Sequence, residues 1–208
     1  MAAAEVISFQ VFFDYMCPFV YRMAVLLDAV RATGRRELEI DWRYFSLAQV
    51  NSKEEGWTVW DAPASPPVKG RFAFQAAEAA RRQGGFDALH MPLLQARHRD
   101  RRDIDARDVI EEIATQAGLD MPRFRRDLDD PALLQALARD HRAGAGERGV
   151  FGTPTLVFGD GEAAYVRLAE QIDPADAVEV FDRVFGVAEA EPRILEIKRP
   201  VKVVRAAS

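Results

Sequence analysis

The pattern of apolar and polar residues near the start of the chain predicts a strand followed at once by a helix. Residues 5 to 13, EVISFQVFF, are rich in β-branched and aromatic side chains, which is typical of a buried strand. Residues 18 to 32 carry apolar side chains at the spacing of a helix. Residues 14 to 17 therefore connect a strand to a helix.

A second strand is predicted at residues 38 to 44. In the segment LEIDWRY, apolar and charged side chains alternate, and the sequence TGRR at residues 33 to 36 separates this strand from the helix. The helix is long enough for a parallel crossover, which is right-handed in nearly all proteins. We therefore expect a parallel βαβ unit.

The periodicity is lost in residues 46 to 69, which contain Trp57, Trp60 and three prolines. A long segment of this kind is usually functional or mobile. The other interpretation is an ordered flap that packs its two tryptophans on the core, and the sequence favours neither.

Residues 70 to 148 have the pattern of four or five short helices. Asp105, Asp120 and Asp130 each stand where a helix N-cap is expected, and Pro131 stands at a first helical position. We call this segment the helical block.

The chain then returns to strand patterns. Residues 149 to 158 predict a loop and a short apolar strand, the sequence GDG at residues 159 to 161 predicts a tight turn, and residues 163 to 168 predict an antiparallel partner. Asp173, followed by proline, predicts the start of a last helix that runs to about Phe185. The tail from residue 187 to 208 alternates weakly and indicates no function.

Composition narrows the class of protein. The 208 residues fit one domain, or one domain with a large insertion, and the net charge of −5 gives no reason to expect nucleic acid as a partner. No apolar run approaches the roughly 18 residues that cross a bilayer, and the early first strand leaves no room for a secretory signal. We therefore expect a cytoplasmic protein without membrane or nucleic-acid partners.

The charged and titratable residues of the helical block indicate structural roles. His90, His98 and His141 match no metal-site spacing, so we interpret each as a surface or packing histidine and expect no metal. In residues 97 to 107 acidic residues interrupt the arginines, which favours a solvated, self-compensating surface over an anion site.

The candidate chemistry lies at Cys17, the only cysteine of the chain, where the first strand passes into the helix. Pro18 favours a helix that starts at residue 18, which makes Cys17 the N-cap. Backbone N–H groups and the positive end of the helix dipole favour a thiolate at this position, and the thiolate is the nucleophile. The alternative is a small buried side chain without chemistry. Asp14 either orients a proton or caps the turn.

Two motifs give the chain a resemblance to a known family. The segment from Cys17 and Pro18 to Phe19 and Val20 resembles the Cys-Pro-x-Cys redox motif of the DsbA-like family, and GTPT at residues 152 to 155 resembles its cis-proline segment. The cytoplasmic branch, with FrnE-like proteins and mycothiol-dependent enzymes, is the most similar. Kappa-class glutathione transferases and 2-hydroxychromene-2-carboxylate isomerases share the architecture but usually carry serine in place of Cys17.

The resemblance implies an α/β, thioredoxin-like mixed sheet with a helical domain inserted between its second and third strands. Residues 1–69 and 149–208 are then the two parts of the thioredoxin-like fold, and residues 70–148 are the insertion. It also implies a cis peptide between Thr153 and Pro154, which would expose the Thr153 backbone to a substrate. A trans proline at the start of an edge strand is the alternative.

One departure from the family changes the expected chemistry. A dithiol enzyme releases its mixed disulfide through its second cysteine, and Val20 occupies that position here. We therefore expect a monothiol oxidoreductase with no tightly bound cofactor, in which glutathione or mycothiol resolves the mixed disulfide. A glutathione-dependent isomerase or transferase and a redox-inactive binding module are the alternatives, and a homodimer is left open.

The sequence thus assigns a small thiol or disulfide substrate and a set of site residues. Cys17 and Pro18 form the catalytic pair. The expected substrate-binding residues are Asp14, Phe19, Val20, Trp57, Trp60, Thr153 and Pro154. The helix N–H groups of Phe19 and Val20 are expected to stabilise the sulfur. The helical block is expected to lie over the thiol, so that some of Trp57, Trp60 and the helices beyond Gly70 form the far wall of a substrate cleft.

Overall fold

Four strands form one mixed sheet in the computed structural model, which describes residues 6–63, 65–159 and 161–199. The strands are β1 (Val6–Phe13), β2 (Glu37–Tyr44), β3 (Thr155–Val157) and β4 (Ala163–Tyr165). Their order is β2-β1-β3-β4, with β1 parallel to β2 and antiparallel to β3, and with β3 antiparallel to β4. The predicted mixed sheet and the helical insertion between its second and third strands are confirmed.

Helices occupy most of the rest of the described chain. They are α1 (Pro18–Ala32), α2 (Leu47–Asn51), α3 (Arg71–Arg81), α4 (Phe86–His98), α5 (Arg107–Gln116), α6 (Met121–Leu128), α7 (Leu133–Glu147) and α8 (Ala177–Ala190). The helical block therefore contains the five helices α3 to α7, as its pattern predicts.

The helical block and the sheet share one core. On one face of β1, the Phe9 ring lies 4.8 Å from that of Phe185 in α8, and the Phe13 ring lies 6.0 Å from that of Phe74 in α3. On the other face, α7 covers Phe12, and a Cβ built on Gly144 would lie only 2.6 Å from the Phe12 ring. Glycine at position 144 therefore lets the helix backbone approach the sheet.

The unpatterned segment after β2 is ordered next to this core. It begins with the short helix α2, which the sequence does not predict, and Ser46 caps that helix by accepting the Gln49 N–H. Trp60 is buried and Trp57 is half-buried against the core. The structure thus agrees with the interpretation as a flap that packs two tryptophans.

Two of the three predicted N-caps in the helical block are wrong. Asp120 caps α6 as expected, but Ala106 occupies the N-cap of α5. The Asp105 carboxylate instead accepts the N–H groups of Gly70 (2.7 Å) and Phe72 (3.2 Å), so it caps the start of α3. A cap supplied from 35 residues away depends on tertiary packing and has no local pattern.

The start of α7 also differs from the prediction. The helix begins at Leu133, so Pro131 precedes it and is not its first residue. Asp130 accepts the Ala132 N–H at 2.9 Å within a turn, and its carboxylate also pairs with Arg82 at 2.6 Å.

The histidines of the helical block have packing roles. The His90 ring lies 4.3 Å from the Trp42 ring, and its Nδ1 is 3.0 Å from the Tyr15 hydroxyl. His141 stacks on Phe45 at 4.4 Å. Burial lowers the pKa of His90 to about 3 and that of His141 to about 4, so both rings are neutral at pH 7.

The C-terminal elements follow the predicted order with shifted boundaries. Strand β4 ends at Tyr165 and not at residue 168, while α8 continues to Ala190 and so includes part of the predicted tail. Asp173 caps a 3-10 turn at Pro174–Asp176 that leads into α8. Asp160 of the predicted tight turn and residues 200 to 208 of the tail lie outside the described residues.

Candidate functional site

The end of β1 and the start of α1 place Cys17 as the sequence predicts. Pro18 is the first residue of the helix, and Cys17 is its N-cap with extended backbone angles of φ −87° and ψ 115°. The Cys17 N–H donates to the Asp14 carbonyl at 3.0 Å, which closes the turn between strand and helix. Cys17 is therefore held by backbone contacts on both sides.

The thiol meets the second motif across the molecule. The Sγ of Cys17 donates to the carbonyl oxygen of Thr153 at 3.2 Å, although 136 residues separate the two positions. The peptide bond between Thr153 and Pro154 is cis. Because β1 and β3 are neighbours in the sheet, the residue that follows β1 and the residue that precedes β3 lie at one end of it.

The helix N–H groups, which are predicted to stabilise the thiolate, do not contact the sulfur of the thiol form. The Val20 N–H donates to the carbonyl oxygen of Cys17 itself at 3.2 Å, and the Cys17 side chain makes no capping hydrogen bond. The side chain points instead to the Thr153 carbonyl oxygen, which accepts a hydrogen bond from the S–H group. The observed contact thus belongs to the thiol form of Cys17.

Two predicted substrate-binding residues are covered by protein. Val20 has 0% exposure because it faces the core from the first turn of α1. Thr153 has 2% exposure, and its carbonyl oxygen is engaged by the Cys17 thiol. Pro18 is exposed and Phe19 is half-buried, so these two residues present the accessible surface next to the thiol.

Asp14 makes the contacts of a capping residue. Its Oδ1 accepts the Met16 N–H at 2.7 Å, and its Oδ2 accepts the Leu47 N–H at 2.7 Å. Burial raises the pKa of this carboxyl to about 6, although the two backbone hydrogen bonds oppose the rise. Asp14 therefore joins the end of β1 to the start of α2 and positions the turn that carries Cys17.

The helical block lies next to this turn, as the sequence predicts. Gly70, with φ +80°, packs so closely on Met16 that a Cβ there would lie 2.7 Å from the Met16 Cγ. The His98 Nε2 lies 2.8 Å from the Tyr15 carbonyl oxygen. Since consecutive Cα atoms are about 3.8 Å apart, His98 lies within roughly 13 Å of Cys17.

The two tryptophans contact other parts of the molecule. The Trp60 ring lies 5.5 Å from the His141 ring, and Arg142 covers its face at 5.0 Å. Trp57 lines a surface cavity of about 450 Å³ that is formed by residues of the flap, and Cys17 is not among the residues that line it. Within the described chain, these contacts give no support to a wall over Cys17 formed by the two tryptophans.

Three residues that the sequence did not predict lie around Phe19, the second residue after Cys17, or extend from it. The Phe19 ring is covered by the guanidinium groups of Arg22, at 5.4 Å, and Arg167, at 5.0 Å. Arg167 also lies 5.6 Å from the Tyr165 ring. We call these four residues the Phe19 cluster. The half-buried aromatic residue that follows Cys-Pro was the only local signal, because Arg22 and Arg167 are 145 positions apart.

The described residues contain neither a candidate membrane span nor a candidate metal centre. None of the helices in residues 6–63, 65–159 and 161–199 combines the length and apolar character needed to cross a bilayer. Across the same residues, no group of three or more His, Cys, Asp or Glu side chains is arranged to hold a metal ion.

Comparison with known proteins gives one family match. The model of the family described as DSBA-like thioredoxin domain matches residues 9–186. The ClpXP adapter protein SpxH of Bacillus subtilis is 32% identical over 102 residues, which are 49% of this chain and 33% of that protein. The chain therefore spans about a third of the length of this relative.

Solved structures share the fold. A probable DsbA oxidoreductase from Streptomyces coelicolor is 22% identical, with a TM-score of 0.62 over 96% of this chain and 94% of that chain. The cytosolic disulfide reductase DsbM from Pseudomonas aeruginosa, solved with GSH, is 19% identical, with a TM-score of 0.59 over 86% of this chain and 98% of that chain.

Proposed function

Because this chain belongs to the family of DSBA-like thioredoxin domains, we propose that it is a thiol–disulfide oxidoreductase that works through the single thiol of Cys17. The observation that carries the proposal is the contact between the Cys17 Sγ and the Thr153 carbonyl oxygen at 3.2 Å. It joins the two motifs at one point, where a sulfur-bearing substrate would meet both.

The Thr153 carbonyl has a role in each protonation state of the thiol. While Cys17 is protonated, the carbonyl accepts the S–H. When the thiol loses its proton, the carbonyl oxygen becomes free to accept an N–H from the backbone or amide of a substrate. Loss of the proton thus creates the nucleophile and a docking point together.

The reaction requires two exchanges. In the first, the Cys17 thiolate attacks a disulfide RS–SR, a bond forms between Cys17 and one sulfur, and RS⁻ leaves and takes up a proton. In the second, an external thiolate attacks the sulfur of R, which releases Cys17 and a new disulfide. The protein returns to its starting state, and the oxidation of the external thiol balances the reduction of the substrate.

The second exchange needs an external thiol because Val20 occupies the position of a resolving cysteine. A low-molecular-weight thiol such as glutathione or mycothiol suits this role, and no tightly bound cofactor is required. The similarity in fold to a cytosolic reductase solved with GSH supports a cytoplasmic setting and a small thiol or disulfide as the substrate.

The proposal is tested by turnover of a small disulfide with glutathione and, separately, with mycothiol. We expect catalysis whose rate rises with the concentration of the monothiol, since no internal thiol competes for the mixed disulfide. Intact-mass measurement after the disulfide alone should show one adduct on Cys17. If the adduct forms but neither thiol removes it, the catalytic cycle is wrong even though the nucleophile is right.

A second candidate is a binding module without redox turnover. Two observations favour it: Cys17 is only 4% exposed, and the local similarity to an adapter protein covers about half of the chain. In this case the same assay would give neither adduct nor turnover, and Cys17→Ala would leave partner binding unchanged.

A further inference from the structure

The Phe19 cluster carries two positive charges at the edge of the Cys17 site. Phe19 is the second residue after Cys17, and the guanidinium groups of Arg22 and Arg167 lie over its ring at 5.4 Å and 5.0 Å. Arg22 is fixed by a hydrogen bond from its NH1 to the Leu168 carbonyl at 2.9 Å. Arg22 therefore holds a defined place on the helix that begins at the thiol.

The Phe19 cluster also contacts the cis-proline segment at residues 152 to 155. The Tyr165 ring packs on Gly152, where a Cβ would lie 3.2 Å from it. Gly152 directly precedes Thr153, the residue whose carbonyl accepts the Cys17 S–H. Phe151 adds an apolar surface that is 66% exposed, with its ring 5.0 Å from that of Tyr165.

Neither of these two arginines has an ion-pair partner in the part of the chain that the structure describes. Over residues 6–63, 65–159 and 161–199, no carboxylate pairs with Arg22 or Arg167 within 4.0 Å, whereas Arg36, Arg82 and Arg102 each pair with one. The field extends to the side of the helical block, where Arg97 and Arg22 add to the effect of burial in lowering the pKa of His98. Uncompensated guanidinium groups in a protein of net charge −5 are suited to a ligand of negative charge.

Thr153, the residue that contacts the Cys17 sulfur, also has a polar atom without a partner among the described residues. The Thr153 side chain is buried, and its Oγ1 has no hydrogen-bond partner within the described part of the chain. A buried hydroxyl group without a partner is costly, and a polar ligand at the thiol can supply one.

We infer that the Phe19 cluster selects the thiol that reacts at Cys17 by its negative charge, so that the substrate class is carboxylate-bearing thiols and their disulfides. Arg167 and Arg22 bind the carboxylate, and the Phe19 and Tyr165 rings contact the chain that links the carboxylate to the sulfur. This inference rests on the proposed function and specifies its substrate. It favours glutathione, which carries carboxylates, over mycothiol, which carries none.

The step that tests this inference is a single disulfide exchange. The Cys17 thiolate forms a bond with one sulfur of RS–SR, the S–S bond breaks, and RS⁻ leaves with the electron pair and takes a proton from water. Three disulfides of similar size differ in charge: 3,3′-dithiodipropionate is anionic, 2-hydroxyethyl disulfide is neutral and cystamine is cationic. The rate of adduct formation on Cys17 is followed by intact-mass measurement, with free N-acetylcysteinamide as the reference thiol, because this thiol carries no carboxylate and does not itself discriminate by charge.

After each rate is divided by the rate of the reference thiol, we expect the protein to react fastest with the anionic disulfide, more slowly with the neutral one and slowest with the cationic one. Arg167→Gln, at an exposed position, should slow the reaction with the anionic disulfide by about fivefold, as expected for loss of one partly exposed ion pair. It should leave the neutral disulfide unchanged. Arg22→Gln should act in the same direction, and about 1 M salt should reduce the preference in the native protein.

Arg35→Gln is the matched control, because Arg35 is exposed and lies at the far end of α1, beyond the last helical residue. It should change none of the three rates. Equal normalised rates for the anionic and neutral disulfides, or an Arg167→Gln variant identical to the native protein, would overturn the inference while the proposed function stands. If none of the disulfides reacts faster with the protein than with the reference thiol, the proposed function fails instead.

Discussion

The helical block and the Phe19 cluster differ in the partners of their arginines. In the block, several arginines pair with carboxylates, as Arg102 does with Glu112 at 2.5 Å and Arg125 with Glu111 at 2.7 Å, while Arg81 and Arg142 lie over aromatic rings. Beside Cys17, Arg22 and Arg167 lie on aromatic rings, and the Thr153 hydroxyl has no partner within the described residues. Polar groups that the fold satisfies stabilise structure, and polar groups that it leaves open are available to a ligand.

The largest effect is expected from removal of the nucleophile. Cys17→Ser should reduce disulfide exchange to the uncatalysed rate, a loss on the order of a hundredfold or more, because a serine hydroxyl cannot form the mixed disulfide. The far-ultraviolet circular dichroism should stay unchanged, since the substitution replaces one small side chain. Retained turnover in Cys17→Ser would contradict the assignment of Cys17.

The next effect concerns the missing second cysteine. Val20→Cys should form an internal disulfide with Cys17, because position 20 follows it by one turn of α1 and a helical turn brings the two side chains together. The turnover rate should then depend only weakly on added monothiol, whereas the native rate should rise with it. The substitution nearly conserves volume at a buried site and should cost less than about 1.5 kcal/mol. Val30→Cys, at another fully buried position of α1, is the matched control and should form no internal disulfide.

Acid should destabilise the protein through the buried histidines. The pKa values of His90 and His141 are lowered by burial to about 3 and about 4, and an unfolded histidine has a pKa near 6.5. Below pH 6.5 the unfolded chain binds protons that the folded protein does not, so the free energy of unfolding is highest above pH 6.5 and falls as pH decreases. Asp14, whose pKa is raised to about 6, opposes this trend because its folded form binds the proton more readily.

The net result should be a loss of about 2 to 3 kcal/mol between pH 7 and pH 4.5, measured by urea unfolding. Because His141 accepts the Ser46 N–H at its Nδ1, His141→Asn keeps an acceptor there without taking up a proton, and it should remove most of the net loss. A pH-independent free energy of unfolding in the native protein would contradict the neutral, buried state of both rings.

A smaller effect is expected at the cap that starts the helical block. Asp105→Ala removes the acceptor of two N–H groups at the start of α3 and should lower the free energy of unfolding by about 1 to 2 kcal/mol. Asp105→Asn keeps one oxygen acceptor and should lose less. Asp108→Ala, on the exposed side of α5, is the control that should leave stability nearly unchanged.

The smallest effect is expected from the surface ion pairs of the helical block. Arg102→Gln breaks the exposed pair with Glu112 and should change the free energy of unfolding by less than about 1 kcal/mol, since such pairs are screened by solvent. Exchange rates with disulfides of any charge should not change. If Arg102→Gln changed the preference for anionic disulfides, the assignment of charge selection to the Phe19 cluster alone would be contradicted.

Periodicity predicts the order of strands and helices because each element here buries one face. The strand β1, the helix α1 and their junction at Cys17 follow from local sequence alone. The two motifs predict that Cys17 and Thr153 are neighbours, because the family that they resemble has a known order of strands. Helix α2 was not predicted, since five residues offer too little pattern to separate a helix from a loop.

Side-chain directions in the site are not encoded locally. The sulfur of Cys17 turns to the Thr153 carbonyl and away from the helix N–H groups, a choice that depends on a strand 136 residues later. The cap provided by Asp105 and the pairing of Arg22 with Arg167 around Phe19 likewise arise only when distant segments pack. Local sequence therefore predicts the helix or strand in which a residue lies, and tertiary packing determines which atoms its side chain contacts.

The separation of Cys17 from Thr153 also sets a delay during synthesis of the protein. A chain emerges at about 5 to 20 residues per second, so roughly 7 to 27 seconds pass between the two positions, which are 136 residues apart. During this interval β1 has no antiparallel neighbour and the nascent thiol has no carbonyl to accept its proton. The ribosome thus makes the nucleophile early and the rest of its site late, with the whole helical block produced in between.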